Sequence, residues 1–134
     1  MTVVRVLLEL LVVLTVHEFG HWLVARVLRM PISSMTIGVG PLLFESLWEG
    51  VWFRFRLLPI SGTVVLCRRS QRSWRNMAVY AAGPAANVLL AVALFWTELG
   101  SMSAVIAVFN LGPWRLGTMD SDGVQVLREM RQRA

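Results

Sequence analysis

Three apolar stretches, separated by polar or irregular segments, dominate the chain. The first covers residues 2–28 and the second residues 76–96, and each reaches the roughly 20 residues that a helix needs to cross a bilayer. The third, residues 102–111, is too short, because such a helix rises only about 15 Å. The first is not expected to be a signal peptide, since no small-residue cleavage site follows it. The pattern predicts a membrane protein, mainly α, with about three transmembrane or half-spanning helices.

The segment between the first two stretches has a different pattern. Val51, Phe53 and Phe55 alternate with Arg54 and Arg56, which is the two-residue period of a strand. Residues 62–66 predict a second strand, and the glycines and the proline within residues 37–41 are typical of a turn. We therefore expect a small membrane-associated β-hairpin between helices one and two.

These elements fit a single domain of residues 1–134, a length that one domain readily accounts for. The first transmembrane helix is expected within residues 1–29, the β-hairpin region within residues 35–66 and the second transmembrane helix within residues 76–97. A third membrane segment is expected within residues 101–131. That segment contains an Asp-Gly pair and ends in an amphipathic C-terminal helix.

The composition favours a membrane protein over a soluble one. Hydrophobic residues make up 56% of the chain, charged residues 16%, and the mean hydropathy is +0.61. A soluble protein of this length could not bury so much apolar surface in its core. The single cysteine, Cys67, excludes an intrachain disulfide.

The charges predict an orientation. All 13 basic residues are arginines, and the net charge is +5. Apart from Arg5, they lie between the first two helices or in the C-terminal segment, and no nucleic-acid motif accompanies them. We therefore expect no nucleic-acid binding. The positive-inside rule predicts a multi-pass integral protein of the plasma (cell inner) membrane, with its N-terminus outside and its C-terminus cytoplasmic.

The first apolar stretch contains the pentapeptide His17-Glu18-Phe19-Gly20-His21. Histidines four residues apart share one helix face, so both rings can reach one tetrahedral zinc ion, and the glutamate beside the first can accept a proton. Ionisable residues in an apolar span are candidates for function. The alternative is that they hold neighbouring helices together by hydrogen bonds.

A catalytic zinc ion usually has three protein ligands, so a third ligand must come from elsewhere. Glu9 lies on the outer half of the same helix, and Asp120 and Asp122 follow the broken third stretch. The rise along the helices brings the aspartates to the depth of the histidines, which favours Asp122. The alternative role of Ser121-Asp122 is to cap the last helix.

Four further motifs follow the pentapeptide in order. They are Thr36-Ile37-Gly38-Val39-Gly40-Pro41, Leu58-Pro59-Ile60-Ser61-Gly62, Ala82-Gly83-Pro84-Ala85-Ala86-Asn87 and Asn110…Pro113…Asp122-Gly123. Together the five motifs resemble those of the site-2 proteases, which are intramembrane zinc metalloproteases. The chain is similar to a minimal core of that family without a PDZ domain.

The resemblance implies a role for each matching residue. His17, His21 and Asp122 would hold one Zn²⁺ per chain, Glu18 would be the general base, and Asn110 would orient substrate or stabilise the oxyanion. The Gly83-Pro84…Asn87 block would pack helices beside the site, and the hairpin would receive an unwound substrate. The gap between Asn110 and Asp122 is longer than in the common form of the family, so Asp120 remains a second choice.

The expected function is that of a zinc endopeptidase that cleaves peptide bonds within or near transmembrane segments. The expected partners are a membrane protein substrate with a transmembrane helix, the lipid bilayer, and a second copy or partner subunit that helps to enclose the site. Two alternatives remain open: a catalytically inactive membrane module that binds partner helices, and a metal transporter or sensor.

Overall fold

The computed structural model describes residues 2–117 and 119–132, which form four helices and two antiparallel strand pairs. The helices are α1 (Val3–Val27), α2 (Ser73–Ala93), α3 (Glu98–Leu111) and α4 (Asp122–Arg131). The long strands are β1 (Ile32–Trp48) and β2 (Val51–Leu66), and the short ones are β3 (Arg115–Leu116) and β4 (Met119–Asp120).

Helix α1 carries the pentapeptide on its buried side. The Thr2 side chain caps its start by accepting a hydrogen bond from the Arg5 amide at 3.4 Å. Its end is marked by Arg29, whose φ of 53° is left-handed, and by Pro31, which cannot continue a helix. His17, Glu18 and His21 are all buried. The helix therefore presents these three ionisable residues to the rest of the protein.

The two long strands form a hairpin that is much larger than the sequence indicates. Its turn is Glu49-Gly50, where φ is 48° and 80°, as a tight two-residue hairpin turn requires. Residues 34–37 of β1 pair twice, with residues 62–65 of β2 and with residues 52–55. Among the described residues, the segment 62–66 pairs on one side only, so its other edge is free.

Close contacts between small residues set how α1 lies against α2. A Cβ atom on Gly20 would come within 2.6 Å of the Ala82 carbonyl oxygen, so only glycine permits this approach. Helix α4 starts directly after Ser121, whose hydroxyl accepts a hydrogen bond from the Val124 amide at 3.3 Å. Since Ser121 is the cap, Asp122 is the first helical residue and its carboxylate is available for other contacts.

The predicted fold class, mainly α with about three transmembrane or half-spanning helices, is wrong. The described residues form a mixed α/β structure, because β1 and β2 run for 17 and 16 residues where a small hairpin was expected. Within the described ranges, Ser73–Ala93 is the one helix whose length and composition suit a membrane crossing. Helix α3 has only 14 residues, and α1 includes Arg5, Glu9 and Glu18.

The predicted element boundaries differ from the observed ones. The second helix, expected at residues 76–97, is Ser73–Ala93, and the segment expected at residues 101–131 is divided between α3 and α4. The turn expected at residues 37–41 lies inside β1, where Gly38 and Gly40 have φ of 91° and 86°. These glycines bend the strand instead of ending it. The organisation as one domain stays a prediction.

Candidate metal centre

Two histidines of α1 and one aspartate of α4 converge. Asp122 Oδ2 lies 3.0 Å from His17 Nε2 and 3.4 Å from His21 Nε2. The two Nε2 atoms are 3.2 Å apart. Residues 105 positions apart in the sequence thus place three potential ligand atoms in one small triangle.

This triangle fits a tetrahedral zinc ion. Ligands about 2.0–2.1 Å from a tetrahedral centre lie about 3.3 Å from one another, which agrees with the three observed separations. Two imidazoles and one carboxylate are also a donor set that a catalytic zinc site uses. We conclude that the chemistry and spacing of His17, His21 and Asp122 suit zinc.

The ring nitrogen of His21 that faces away from the triangle, Nδ1, makes a hydrogen bond that fixes the tautomer of the ring. His21 Nδ1 lies 2.6 Å from the Val79 carbonyl oxygen of α2. A carbonyl only accepts, so Nδ1 carries the hydrogen and donates it. The lone pair of Nε2 therefore points into the triangle, as a metal ligand requires.

The ring nitrogen of His17 that faces away from the triangle, Nδ1, lies against Asn87. The Asn87 side chain is fully buried. Asn87 Nδ2 is 3.1 Å from His17 Nδ1, while Asn87 Oδ1 is buried without a hydrogen-bond partner among the described residues. The two amide orientations differ only by exchange of oxygen and nitrogen. With the oxygen facing the ring, Oδ1 accepts from His17 Nδ1–H, and His17 Nε2 keeps its lone pair for a metal.

Glycines bring α2 and β2 close to the site. A Cβ atom on Gly83 of α2 would lie 2.3 Å from His21 Nε2 and 2.8 Å from His17 Nε2. A Cβ atom on Gly62 of β2 would lie 2.5 Å from Glu18 Oε1. Any larger residue at either position would enter the space of the reactive groups.

Glu18 lies beside the triangle without belonging to it. Its side chain is buried between α1 and β2, and Oε2 has no hydrogen-bond partner within the described part of the chain. It does not belong to the group of three potential metal ligands. A carboxylate so placed is available to accept a proton beside the metal position.

The alternative carboxylates have other partners. Asp120 pairs with Arg128 and, at 3.1 Å, with Arg115. Glu9 pairs with Arg5 at 2.9 Å, at the far end of α1. The structure therefore brings Asp122 to the histidines and holds Asp120, the second choice, in an arginine pair.

A cleft of about 800 Å³ opens onto the site. It is bordered by the two histidines, Glu18 and Asp122, by residues 60–66 of β2, and by Ile106, Phe109 and Asn110 of α3. The Asn110 amide nitrogen donates to the Ile106 carbonyl oxygen of its own helix at 3.0 Å. Its role toward substrate or oxyanion stays a prediction.

Three contacts with the histidines were not expected from the sequence. Sequence reasoning assigned Gly83 and Asn87 to helix packing and gave Val79 no role, whereas the structure places all three against the histidines. A signal was present, since residues 79, 83 and 87 are four apart and share one face of α2. Asparagine in an apolar helix marks that face as polar.

The comparison with known proteins identifies the family. The model of peptidase family M50 matches residues 5–108 of this chain, which include α1, the hairpin, α2 and most of α3. The chain belongs to peptidase family M50. Members of that family are associated with membranes, which agrees with the apolar helix α2.

Several bacterial relatives carry the provisional name zinc metalloprotease. The chain is similar to one from Chlamydia pneumoniae, 30% identical over 122 residues, covering 71% of this chain and 20% of the relative. A Xylella fastidiosa relative is 34% identical over 101 residues, covering 63% of this chain and 23% of the relative. The chain spans about a fifth of the length of these relatives.

Proposed function

We propose that this chain is the catalytic core of a zinc endopeptidase that holds one zinc ion and cleaves peptide bonds within or near transmembrane segments of substrate proteins. The observation that carries the proposal is the triangle of His17, His21 and Asp122 with Glu18 beside it. Membership of family M50 supports a metalloprotease. The names of the relatives support zinc as the metal.

The chain's own residues suffice for peptide hydrolysis around such an ion. Bound zinc supplies a Lewis acid that activates water and polarises a carbonyl. Glu18 accepts a proton from the attacking water and returns it to the nitrogen of the leaving amine. The C–N bond breaks, the water oxygen stays on the acyl carbon as part of a carboxyl group, and the amine gains the proton.

The free strand edge beside the cleft is evidence that a peptide substrate binds in an extended conformation. Residues 62–66 pair on one side only and border the cleft, and Gly62 lies against Glu18. An extended peptide can add to such an edge through main-chain hydrogen bonds. A transmembrane helix would have to unwind first, because its carbonyls are engaged in its own hydrogen bonds, and residues of low helix propensity near the cut would lower that cost.

The membrane location is supported by the surface of α2. Leu89 and Val92 are 71% and 72% exposed, and the helix is long and apolar enough to cross a bilayer. Water-exposed apolar patches of this kind are uncommon in soluble monomers. The bilayer and a membrane protein substrate are therefore the proposed partners. The orientation of the termini and association with a second copy or subunit stay predictions.

The test compares Glu18→Gln with the wild type and with Glu45→Gln, which alters an exposed carboxylate of the hairpin paired with Arg54. The proteins are reconstituted in vesicles with a library of single-span model helices, and products are identified by mass spectrometry. We expect Glu18→Gln to keep its zinc but lose at least about a hundredfold in cleavage rate, since a general base contributes about 10²–10⁴. Glu45→Gln should cleave like the wild type.

Two results would contradict the proposal. Cleavage by Glu18→Gln at the wild-type rate would remove the general base from the mechanism. Zinc binding by the wild type without cleavage of any helix would favour the inactive module that binds partner helices.

A further inference from the structure

Helix α4 has a second carboxylate, Glu129, two turns after Asp122. Glu129 has 2% exposure, although most of the helix around it is polar. It forms an ion pair with Arg69, which lies in the loop between β2 and α2. It also accepts hydrogen bonds from Ser73 Oγ at 2.9 Å and Asn76 Nδ2 at 3.3 Å. Three donors outside α4 thus converge on one side chain.

These contacts place a negative charge at the start of α2, whose first turn has none of its own. Within the described residues, the side chain of the cap residue Arg72 makes no capping hydrogen bond, and the first turn of α2 contains no acidic residue. The positive end of a helix dipole is stabilised by a nearby negative charge. Glu129 supplies that charge from another helix, and the arginine and the two hydrogen bonds offset the cost of burying its carboxylate.

The spacing relates this contact to the metal centre. Asp122 and Glu129 are seven residues apart on α4, so they share one face and lie about 10 Å apart along the axis. On α2, Asn76 contacts Glu129, and Gly83, seven residues later, lies against the metal-facing nitrogens of the histidines. The two helices therefore run in opposite directions, with one fixed contact at each end of α4.

The start of α4 is held separately. A Cβ atom on Gly123 would lie 2.0 Å from the Leu111 carbonyl oxygen at the end of α3, so the two helices meet backbone to backbone. This contact fixes where α4 begins but leaves its direction to be set from the other end. Near the other end, Glu129 joins α4 to Arg69, Ser73 and Asn76.

We infer that Glu129 is a positioning residue for the metal centre. By fixing α4 to the start of α2 and to Arg69, it sets the direction of the helix and holds the Asp122 carboxylate within reach of both histidines. The inference rests on the metal centre of the proposed function but not on proteolysis. Because Arg69 also borders the cleft, the same carboxylate joins the segment that follows β2 to the helix that carries the ligand.

The test uses the full chain with Glu129→Ala and Glu129→Gln. The matched control is Glu98→Ala, which removes another ion pair between elements, to Arg5 at 2.7 Å, far from the histidines. Zinc affinity is measured by chelator competition, and amide hydrogen exchange of α4 is measured in the metal-free proteins. Removing partners that orient metal ligands typically costs 10–100-fold in metal affinity.

We expect Glu129→Ala to weaken zinc binding about tenfold or more and to speed exchange in α4, with α1 and the hairpin unchanged. Glu129→Gln keeps two hydrogen bonds without the charge and should fall between Glu129→Ala and the wild type. Glu98→Ala should match the wild type in both measurements. Asp122→Ala should lose zinc affinity while α4 exchanges as in the wild type, which separates loss of a ligand from loss of its support.

Three outcomes would overturn the inference. Wild-type zinc affinity in Glu129→Ala would remove the positioning role and leave the proposed function intact. Faster exchange throughout the variant would assign Glu129 to general stability. Absence of zinc binding by the wild type would contradict the proposed function itself, and the inference with it.

Discussion

At the scale of single residues, the metal centre depends on the second nitrogen of each histidine. The Val79 carbonyl allows only one tautomer of His21. The partner of His17 is an amide, which can donate or accept. Only the accepting orientation leaves both Nε2 lone pairs available for a metal.

Substitutions of Asn87 test that orientation. Asn87→Asp can only accept from His17 Nδ1, so we expect zinc affinity within a few-fold of the wild type. Asn87→Leu has a similar size and offers no acceptor, so zinc should bind about 10–100-fold more weakly. Equal weakening in both variants, measured by chelator competition, would contradict an accepting Asn87.

The candidate ligands could be named from the sequence, and their role stays a prediction. The sequence also shows that residues 79, 83 and 87 share one face of α2, but not which side chains that face contacts. Helix geometry alone places His17 and His21 on one face. The choice of Asp122 over Asp120 needed depth and family resemblance, and the structure adds a reason, since Asp120 pairs with two arginines. The contact of Asn87 with His17 depends on how α2 lies against α1, which no local pattern specifies.

At the scale of elements, small residues set the distance between α1 and α2. Gly20 faces the Ala82 carbonyl, and Gly83 faces both histidine rings. Closely packed helices need glycine or alanine where their backbones approach. The metal site is therefore built into the packing of the helices, and a single methyl group at the contact should disturb it.

Gly83→Ala tests this packing. The added Cβ would fall 2.3 Å from His21 Nε2, so either ring or helix must move, and we expect zinc affinity to fall at least about tenfold. The matched control is Ala85→Ser, which adds one heavy atom at an exposed position of the same helix. Unchanged zinc affinity in Gly83→Ala would show that the helices adapt without moving the ligands.

The sequence predicted a β-hairpin between the first two helices but not strands of 17 and 16 residues. Alternation identified the strand of residues 51–57, but Leu42-Leu43-Phe44-Glu45-Ser46-Leu47-Trp48 has no two-residue period, so that part of β1 carried no strand signal. Gly38 and Gly40 indicated a turn because glycine adopts positive φ readily. They do adopt it, within a continuing strand whose pairing changes partner there.

At the scale of the whole molecule, hydropathy predicted about three transmembrane or half-spanning helices, whereas one described helix suits a membrane crossing. Eight of the 25 residues of α1 are buried against protein, and α3 is too short to cross a bilayer. Apolar composition alone does not distinguish a residue packed against protein from one facing lipid. Within the described residues, one helix remains a candidate to cross the membrane.

Leu89→Arg tests the membrane role of α2. Leu89 is exposed in the second half of the helix, and arginine within a spanning helix costs up to about 3 kcal/mol in insertion. We expect the variant to shift from the alkali-resistant membrane fraction toward the soluble or aggregated fraction. Leu127→Arg, at an exposed position of α4, should fractionate like the wild type. Equal retention of Leu89→Arg would argue against α2 as the anchor.

The most direct test of the account is the zinc content of the detergent-purified wild type, Asp122→Ala and Asp120→Ala, measured side by side by mass spectrometry. We expect about one zinc ion per chain in the wild type and in Asp120→Ala, since one chain supplies all three protein ligands of a catalytic zinc site, and its loss in Asp122→Ala. Zinc retained in Asp122→Ala and lost in Asp120→Ala would contradict the site described here. Absence of zinc from all three proteins after metal is added back would contradict a zinc centre altogether.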